Sequence, residues 1–421
     1  MILANGALYP DEALPEQLAA LEGHCLAALQ GPALPPETVI AACDALAGQI
    51  AAGAYDSAVR SFLEAFQIGE GAFRAALGLF RRESLTYQCT LAWGPDWREL
   101  PPLRHPGFQP IRRRRMPLGV LFHIAAGNVD GLPAYSVVEG LLAGNVNILK
   151  LPSADRGLSV LLLHALVTIE PALAPFVYVF DVPSTDLASL EIFAALADGV
   201  AVWGGDEAVQ AAYRLADCRI FPWGHKLSFA YAEPDAAEGD LLALARHIRE
   251  TGQVLCSSCQ GVFVDTEDPA VLEAFGRRLF DALLAADGPR PDRGLAARAA
   301  LQLYNDQLEA VETGRVILRQ NGVSVTICPD RELELGRMFG NCWVKALPRE
   351  EILPALKPKK RLLQTCGLLC APEEREALGD LLARAGVVRV TEPGEMSRTI
   401  PGEAHDGIYP LAAYMRIVET V

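Results

Sequence analysis

The chain has 421 residues, more than a single hydrophobic core usually organises, so two principal domains are expected. Half of it is hydrophobic (51%) and 21% is charged, which excludes a disordered or low-complexity protein. A formal charge of −15 repels polyanions and argues against nucleic-acid binding, and the longest apolar runs, such as Leu158 to Val167, fall short of the roughly 20 residues that a membrane span needs.

The opening MILANGALYPDEALPE lacks the basic flank of a signal peptide, so a cytoplasmic location is expected. From residue 11 to about residue 100, stretches such as EQLAALEGHCLAALQ and SAVRSFLEAFQ space apolar residues by three and four, which predicts helices. The run Arg112-Arg113-Arg114-Arg115 reads as a solvated edge leading into an apolar strand. Then PLGVLFHIAAGN (strand), LPAYSVVEGLLAG (helix) and NVNILKL (strand) form a βαβ unit, and the alternation continues through FVYVFDVP, GVAVWGG and CRIFPWG. This predicts a Rossmann-type, doubly covered parallel sheet, which binds ligands at the carboxyl ends of its strands.

After KLSFAYAEPDA the pattern restarts with helix LLALARHIRETGQ, strand GVFVD and helix VLEAFGRRLFDALLAA. The expected organisation is a helical region and a first α/β domain over 1–228 and a second α/β domain over 229–405. A tail over 406–421, with its alternating IYPLAAYMRIVETV, is a candidate oligomerisation strand.

The stretch GQVLCSSCQGVFVD, residues 252 to 265, carries a CxxC pair in a chain whose ten cysteines show no disulfide spacing. A zinc site needs a second such pair or suitably spaced histidines, and neither is present, so no metal is expected. A thioredoxin-like dithiol normally lies early in a small βαβ domain. The third reading is one nucleophile, Cys256, in a loop between a helix and a strand, with Cys259 as bystander.

Here the sequence resembles the aldehyde dehydrogenase superfamily, whose nucleophile lies in a GQxC segment followed by a strand. It is more similar to LuxC-type acyl-CoA reductases, with their QxxCSS(P)Q pattern: Gln253, Cys256, Ser257, Ser258 and Gln260 match, and Cys259 stands where Pro is usual. The resemblance implies an aldehyde dehydrogenase-like fold in which residues 1–228 include the dinucleotide-binding domain and 229–405 are the catalytic domain, with the active site between them. It implies that Asn128, in PLGVLFHIAAGNVDGLPA, donates its amide to an oxyanion hole, although an Asn beside Gly127 also suits a left-handed turn. It further implies that Lys150 and Ser153, in LLAGNVNILKLPSAD, hold the adenosine ribose or its phosphate. Gly204 and Gly205, in GVAVWGGDEAVQ, would let backbone approach the dinucleotide.

The departures from the superfamily also carry information. Where oxidising members place a general-base Glu, this chain reads FPWGHKLSF, with Pro222 and Trp223, which points away from hydrolysis of an acyl-enzyme and toward thiol exchange. The EIFGP segment whose Glu holds the nicotinamide ribose is echoed only by GRMFGNCW, with Arg337 in the Glu position. His405, in RTIPGEAHDGIYPL, reads either as a proton shuttle or as a surface-turn residue.

The resemblance therefore implies an NADPH-dependent acyl-CoA reductase, since Ser153 and Ala154 stand where NAD-preferring relatives place an acidic ribose ligand, NADH being the alternative because a register shift of one would put Asp155 there. The acyl group arrives on CoA or a carrier protein, with an acyl-transferring protein as possible partner and a homo-oligomer as expected assembly. Alternatives are an acyl-phosphate reductase, an aldehyde dehydrogenase, a dithiol protein and a non-catalytic scaffold.

Overall fold

The computed structural model describes all residues except 58, 61–62, 64–69, 96, 98–99, 126–131, 154, 156, 289–292 and 421. It divides into two compact units, residues 1–224 with 400–421, and residues 225–399. The division falls just before the strand Leu227–Ala232, so the expected cut between 228 and 229 would split that strand, and the tail 406–421 is part of the first unit.

In the first unit, β1 (Ile2–Ala4), β2 (Ala7–Tyr9), β4 (Val120–Ile124), β5 (Val146–Lys150), β6 (Val177–Phe180), β7 (Gly199–Trp203) and β8 (Arg219–Trp223) form one sheet, ordered β2-β1-β6-β5-β4-β7-β8. From β6 to β8 all neighbours run parallel. VNILK, VYVF and GVAVW are buried along their whole length, as strands covered on both faces must be. Strand order reverses at β4, whose neighbours β5 and β7 lead away in opposite directions, and this reversal marks the ligand-binding crevice of such sheets.

Glu139, on the helix Leu132–Leu142, lies inside this unit at 3% exposure. One carboxyl oxygen accepts a hydrogen bond from Gln88 Nε2 at 3.0 Å, and the other has no partner among the described residues. Burial pushes its pKa up to about 8, with the Gln88 bond opposing the shift.

In the second unit, β9 (Leu227–Ala232), β10 (Cys259–Val264), β11 (Val316–Gln320), β12 (Val323–Cys328), β13 (Asn341–Ala346), β14 (Leu363–Leu369) and β15 (Arg389–Thr391) are ordered β11-β12-β13-β10-β9-β14-β15. All pairs are parallel except β11 with β12. At Gly261 a Cβ would lie 2.1 Å from Trp343 Cδ2, so the indole packs directly on the β10 backbone.

The arginine run forms β3 (Arg112–Pro117), which pairs antiparallel with β16 (Met415–Thr420) from Met415↔Pro117 to Thr420↔Arg112. The partner strand of the tail is therefore in its own chain. Arg113 donates to Pro101 O (2.9 Å), and Arg115 to Trp97 O (3.1 Å) and Trp93 O (2.5 Å), so alternate arginines turn inward as carbonyl donors. Among the described residues no helix is long and apolar enough to cross a membrane.

Candidate active site

The helix Glu238–Thr251 stops where Gly252 (φ 56°) and Gln253 (φ 63°) both turn left-handed. Glycine adopts this conformation at little cost, whereas for Gln253 the strain is on the order of 1 kcal/mol and needs compensating contacts. They come from its buried side chain, whose Nε2 donates to Cys259 O (3.1 Å) and whose Oε1 accepts from Gly340 N (3.1 Å). Gln260 reciprocates, donating to the carbonyls of Gln253 (3.1 Å) and Ser258 (3.2 Å) and accepting from Gly336 N (3.1 Å). Two buried amides thus fix both ends of the 253–260 loop. A turn within it closes through Ser258 N to Leu255 O (3.0 Å) and Leu255 N to Ser258 Oγ (3.2 Å).

That turn exposes Cys256 and sends Cys259 into the core at 0% exposure, where its thiol donates to Gly261 O at 3.2 Å. Burial, with the adjacent Cys342 and Cys366, holds the Cys259 thiol well above the ordinary thiol range. A nucleophile must be accessible and ionisable, and burial counts against Cys259 on both grounds, whereas Cys256 is exposed.

Three further groups touch the loop. Ser228 Oγ donates to Cys256 O (2.7 Å), Ser257 and Ser397 share a hydroxyl contact (2.8 Å), and Gln364 Nε2 points at Cys256 Sγ (3.4 Å). His247 Nε2 accepts from Cys259 N (3.3 Å), and burial lowers its pKa to about 4, so it is a neutral acceptor. Sequence reasoning missed Ser228, His247 and Gln364. The available signal for Gln364 was a lone amide opening the otherwise apolar LLQTCGLL.

The GRMFGNCW segment is strained, with Met338 (φ 59°) and Phe339 (φ 52°) left-handed before Gly340. Through Gly336 and Gly340 it anchors the two glutamines of the cysteine loop. Arg337 is committed elsewhere, forming a two-bond ion pair with Asp306 (2.6 and 2.7 Å). Cys328, Asp330 and Glu334 bring ligand atoms within 4.8 Å of one another, but the ammonium of Lys345 already pairs with both carboxylates.

In the first unit, Asn128 lies outside the described residues. Lys150 ends β5 at 5% exposure and donates from Nζ to Ser184 Oγ (2.9 Å). Burial lowers its pKa, and Asp181 acts in the opposite direction. Ser153 is exposed in the following turn. Asp155 turns its carboxylate to Gly157 N (2.7 Å) and Ser159 Oγ (2.5 Å), so both oxygens are spent at the start of the helix Leu158–Ile169. Gly204 N bonds Trp223 O (3.2 Å), while a Cβ at Gly205, which caps the helix Asp206–Leu215, would meet nothing within 4 Å. That helix already carries Asp206 and Glu207 in its first turn, which favour its positive end.

Trp223 packs at 5.4 Å against Trp203 with the rings tilted by 32°, and His405 meets both indoles edge-on at 4.8 and 4.9 Å. His405 also opens a two-residue turn, Asp406 (φ 48°) and Gly407 (φ 81°), closed by bonds with Ile408. His123 is buried between Ser136 Oγ (2.8 Å at Nδ1) and Asn147 Oδ1 (3.0 Å at Nε2), and burial lowers its pKa to about 4.

Two α/β units, the second with its cysteine loop ahead of a parallel strand, have the aldehyde dehydrogenase-like fold, and the solved structures agree. A lactaldehyde dehydrogenase matches with a TM-score of 0.68 at 15% identity, over 100% of this chain and 95% of that one. An NAD-dependent benzaldehyde dehydrogenase from Corynebacterium glutamicum gives 0.65 at 13% identity, over 98% and 91%. Within that fold, residues 104–417 match the family described as acyl-CoA reductase (LuxC), and the chain belongs to it. The long-chain acyl-protein thioester reductase of Aliivibrio fischeri is 25% identical over 318 residues, which are 72% of this chain and 64% of the relative. The chain thus matches less than two thirds of that relative's length.

Proposed function

We propose that the protein reduces a long-chain acyl thioester to the aldehyde through an acyl group carried on Cys256, with NADPH as reductant. The observation that carries this reading is the opposite exposure of the two cysteines, within a family of thioester reductases. In the first half, the Cys256 thiolate attacks the thioester carbonyl, the amide of Asn128 serves the resulting oxyanion, and the carbonyl re-forms as the donor thiolate departs. The acyl group then rests on sulfur. A bound nicotinamide cofactor supplies hydride to that carbonyl. The resulting thiohemiacetal collapses, the C–S electron pair returns to Cys256, and aldehyde leaves.

Lys150 and the open backbone at Gly205, next to Gly204, fit such a cofactor. Ser153 is uncharged, and both Asp155 oxygens already accept hydrogen bonds from the chain itself, so neither side chain is poised as the acidic ligand of a ribose 2′-hydroxyl, which supports NADPH over NADH. Pro222 and Trp223 offer no base for water, so the acyl-enzyme should persist until hydride or a thiol reaches it. The donor is CoA or a protein thiol, and the relatives' names favour a protein.

The test is to incubate the enzyme with a labelled acyl-CoA, and separately with an acyl-protein thioester, without reductant. Intact mass should show one acyl group on Cys256, aldehyde should form only on adding NADPH, and free acid should appear slowly. Free acid forming without NADPH as fast as aldehyde forms with it would overturn the reading in favour of a hydrolytic enzyme.

A further inference from the structure

Gln364 is the second residue of β14, a strand buried along all seven positions, and its own exposure is 8%. Burying a primary amide is unfavourable unless it is hydrogen-bonded, and one of its donors points at Cys256 Sγ, 3.4 Å away. The approach is set by backbone on both strands. Ser228 Oγ, on β9, donates to Cys256 O (2.7 Å) and accepts from Thr365 N (3.1 Å), so one hydroxyl fixes the Cys256 backbone and the residue after Gln364 together. On its other side, Gln364 O accepts from Val388 N (3.0 Å). Amide donor and sulfur are therefore held in register by the strands, before any substrate arrives.

We propose that Gln364 is a catalytic residue whose side-chain amide stabilises negative charge on the Cys256 sulfur at the two points where the reaction places it there. This deepens the reading of Cys256 as nucleophile and rests on it. The first point is the thiolate that attacks: its lone pair forms the S–C bond, and the electron pair of the cleaved C–S bond leaves with the donor thiol. The second is the collapse of the thiohemiacetal, when C=O re-forms and the C–S pair returns to Cys256. A neutral amide suits both, because it does not titrate and stays a donor at every working pH. It also leaves the thiolate more reactive than a full positive charge would, since nucleophilicity falls as thiol pKa falls. His247, the titratable side chain that bonds this loop, faces Cys259 N and is uncharged well above pH 4.

The test compares wild-type protein with Gln364→Leu and Gln364→Glu, measuring alkylation of Cys256 by iodoacetamide against pH, with the site read by peptide mass. A hydrogen bond to a charged group corresponds to about tenfold or more in an equilibrium constant. Gln364→Leu should therefore raise the midpoint by about one pH unit, slowing alkylation about three- to fourfold below it, because the tenfold loss of thiolate is partly offset by its greater nucleophilicity. Gln364→Glu, placing a carboxylate beside the thiolate, should raise it further. Turnover should fall in the same order, with the KM for NADPH unchanged. A purely structural role would not order the midpoints by donor and charge. Gln364→Asn, which keeps an amide on a shorter arm, replaces Gln364→Leu if that variant does not fold. Coincident midpoints in all variants would overturn the proposal, as would Gln364→Glu matching wild type. Alkylation needs no substrate, so it judges Gln364 alone. Failure of wild-type protein to acquire an acyl group on Cys256 would instead sink the reading beneath it.

Discussion

Replacing Glu139 with Gln should make the first unit less sensitive to alkaline pH. In the folded protein burial keeps this carboxyl protonated up to about 8, whereas an unfolded chain releases the proton near the ordinary value of 4.5. Between these values unfolding releases a proton, so rising pH favours the unfolded chain. The stability associated with the protonated carboxyl is complete below about 4.5 and is lost as pH rises through about 8. Each pH unit in that window costs about 1.4 kcal/mol, so at pH 7 the penalty is about 3 kcal/mol. Glu139→Gln keeps the shape and the Gln88 contact but has no proton to lose. Urea unfolding should be followed by tryptophan emission, since four of the five tryptophans lie in the first unit. The difference in stability between variant and wild type should grow by about 2 kcal/mol from pH 6 to pH 7.5 in favour of the variant. Parallel curves over that range would refute the argument, because they would mean that Glu139 is already ionised in the folded state.

Cys256→Ala should abolish acyl-enzyme and turnover, while Cys259→Ala should keep most activity and lose about 1 to 2 kcal/mol of stability from a small cavity; equal loss of turnover in both would restore the dithiol reading. Lys150→Ala should weaken NADPH more than NADH by about 1.5 to 3 kcal/mol, measured by fluorescence titration, since a charged pair to the 2′-phosphate exists only with NADPH. Equal weakening would confine Lys150 to the shared part of the dinucleotide. Gly261→Ala forces a methyl into the Trp343 ring and should cost about 3 kcal/mol by urea unfolding of the second unit, with wild-type stability contradicting the packing described.

The parallel sheets were legible because strands covered on both faces need unbroken apolar runs, and NVNILKL or GVAVWGG admit little else. The loop bearing Cys256 was legible for a similar local reason, a helix end at Gly252 followed by a strand. Partners distant in sequence were not. Arg337 in GRMFGNCW gives no hint of Asp306, which lies 31 residues earlier. RRRR read as a solvated edge and MRIVET as a strand for another subunit, since nothing local encodes a register spanning some three hundred residues. Gln364 was missed because its partner Cys256 precedes β10, on the other side of β9 in the sheet. Asp155 invited a ligand reading that its own helix start accounts for.

The pairing of β3 with β16 has a consequence for biosynthesis. Residues 225–399 are inserted within the first unit, so translation delivers a whole second unit before the first has its last strand. At about 5 to 20 residues per second, β3 waits roughly 15 to 60 s for β16 to leave the ribosome. An uncovered strand edge on a nascent chain is a template for the neighbouring chain on the same message. Four consecutive arginines make that encounter repulsive, since two such strands meeting would oppose like charges. The glutamate of β16 lies opposite Arg113, so the legitimate partner meets no such barrier. Replacing these arginines with small polar residues should therefore show itself first during expression, as co-translational aggregation, and only afterwards in the stability of the finished protein.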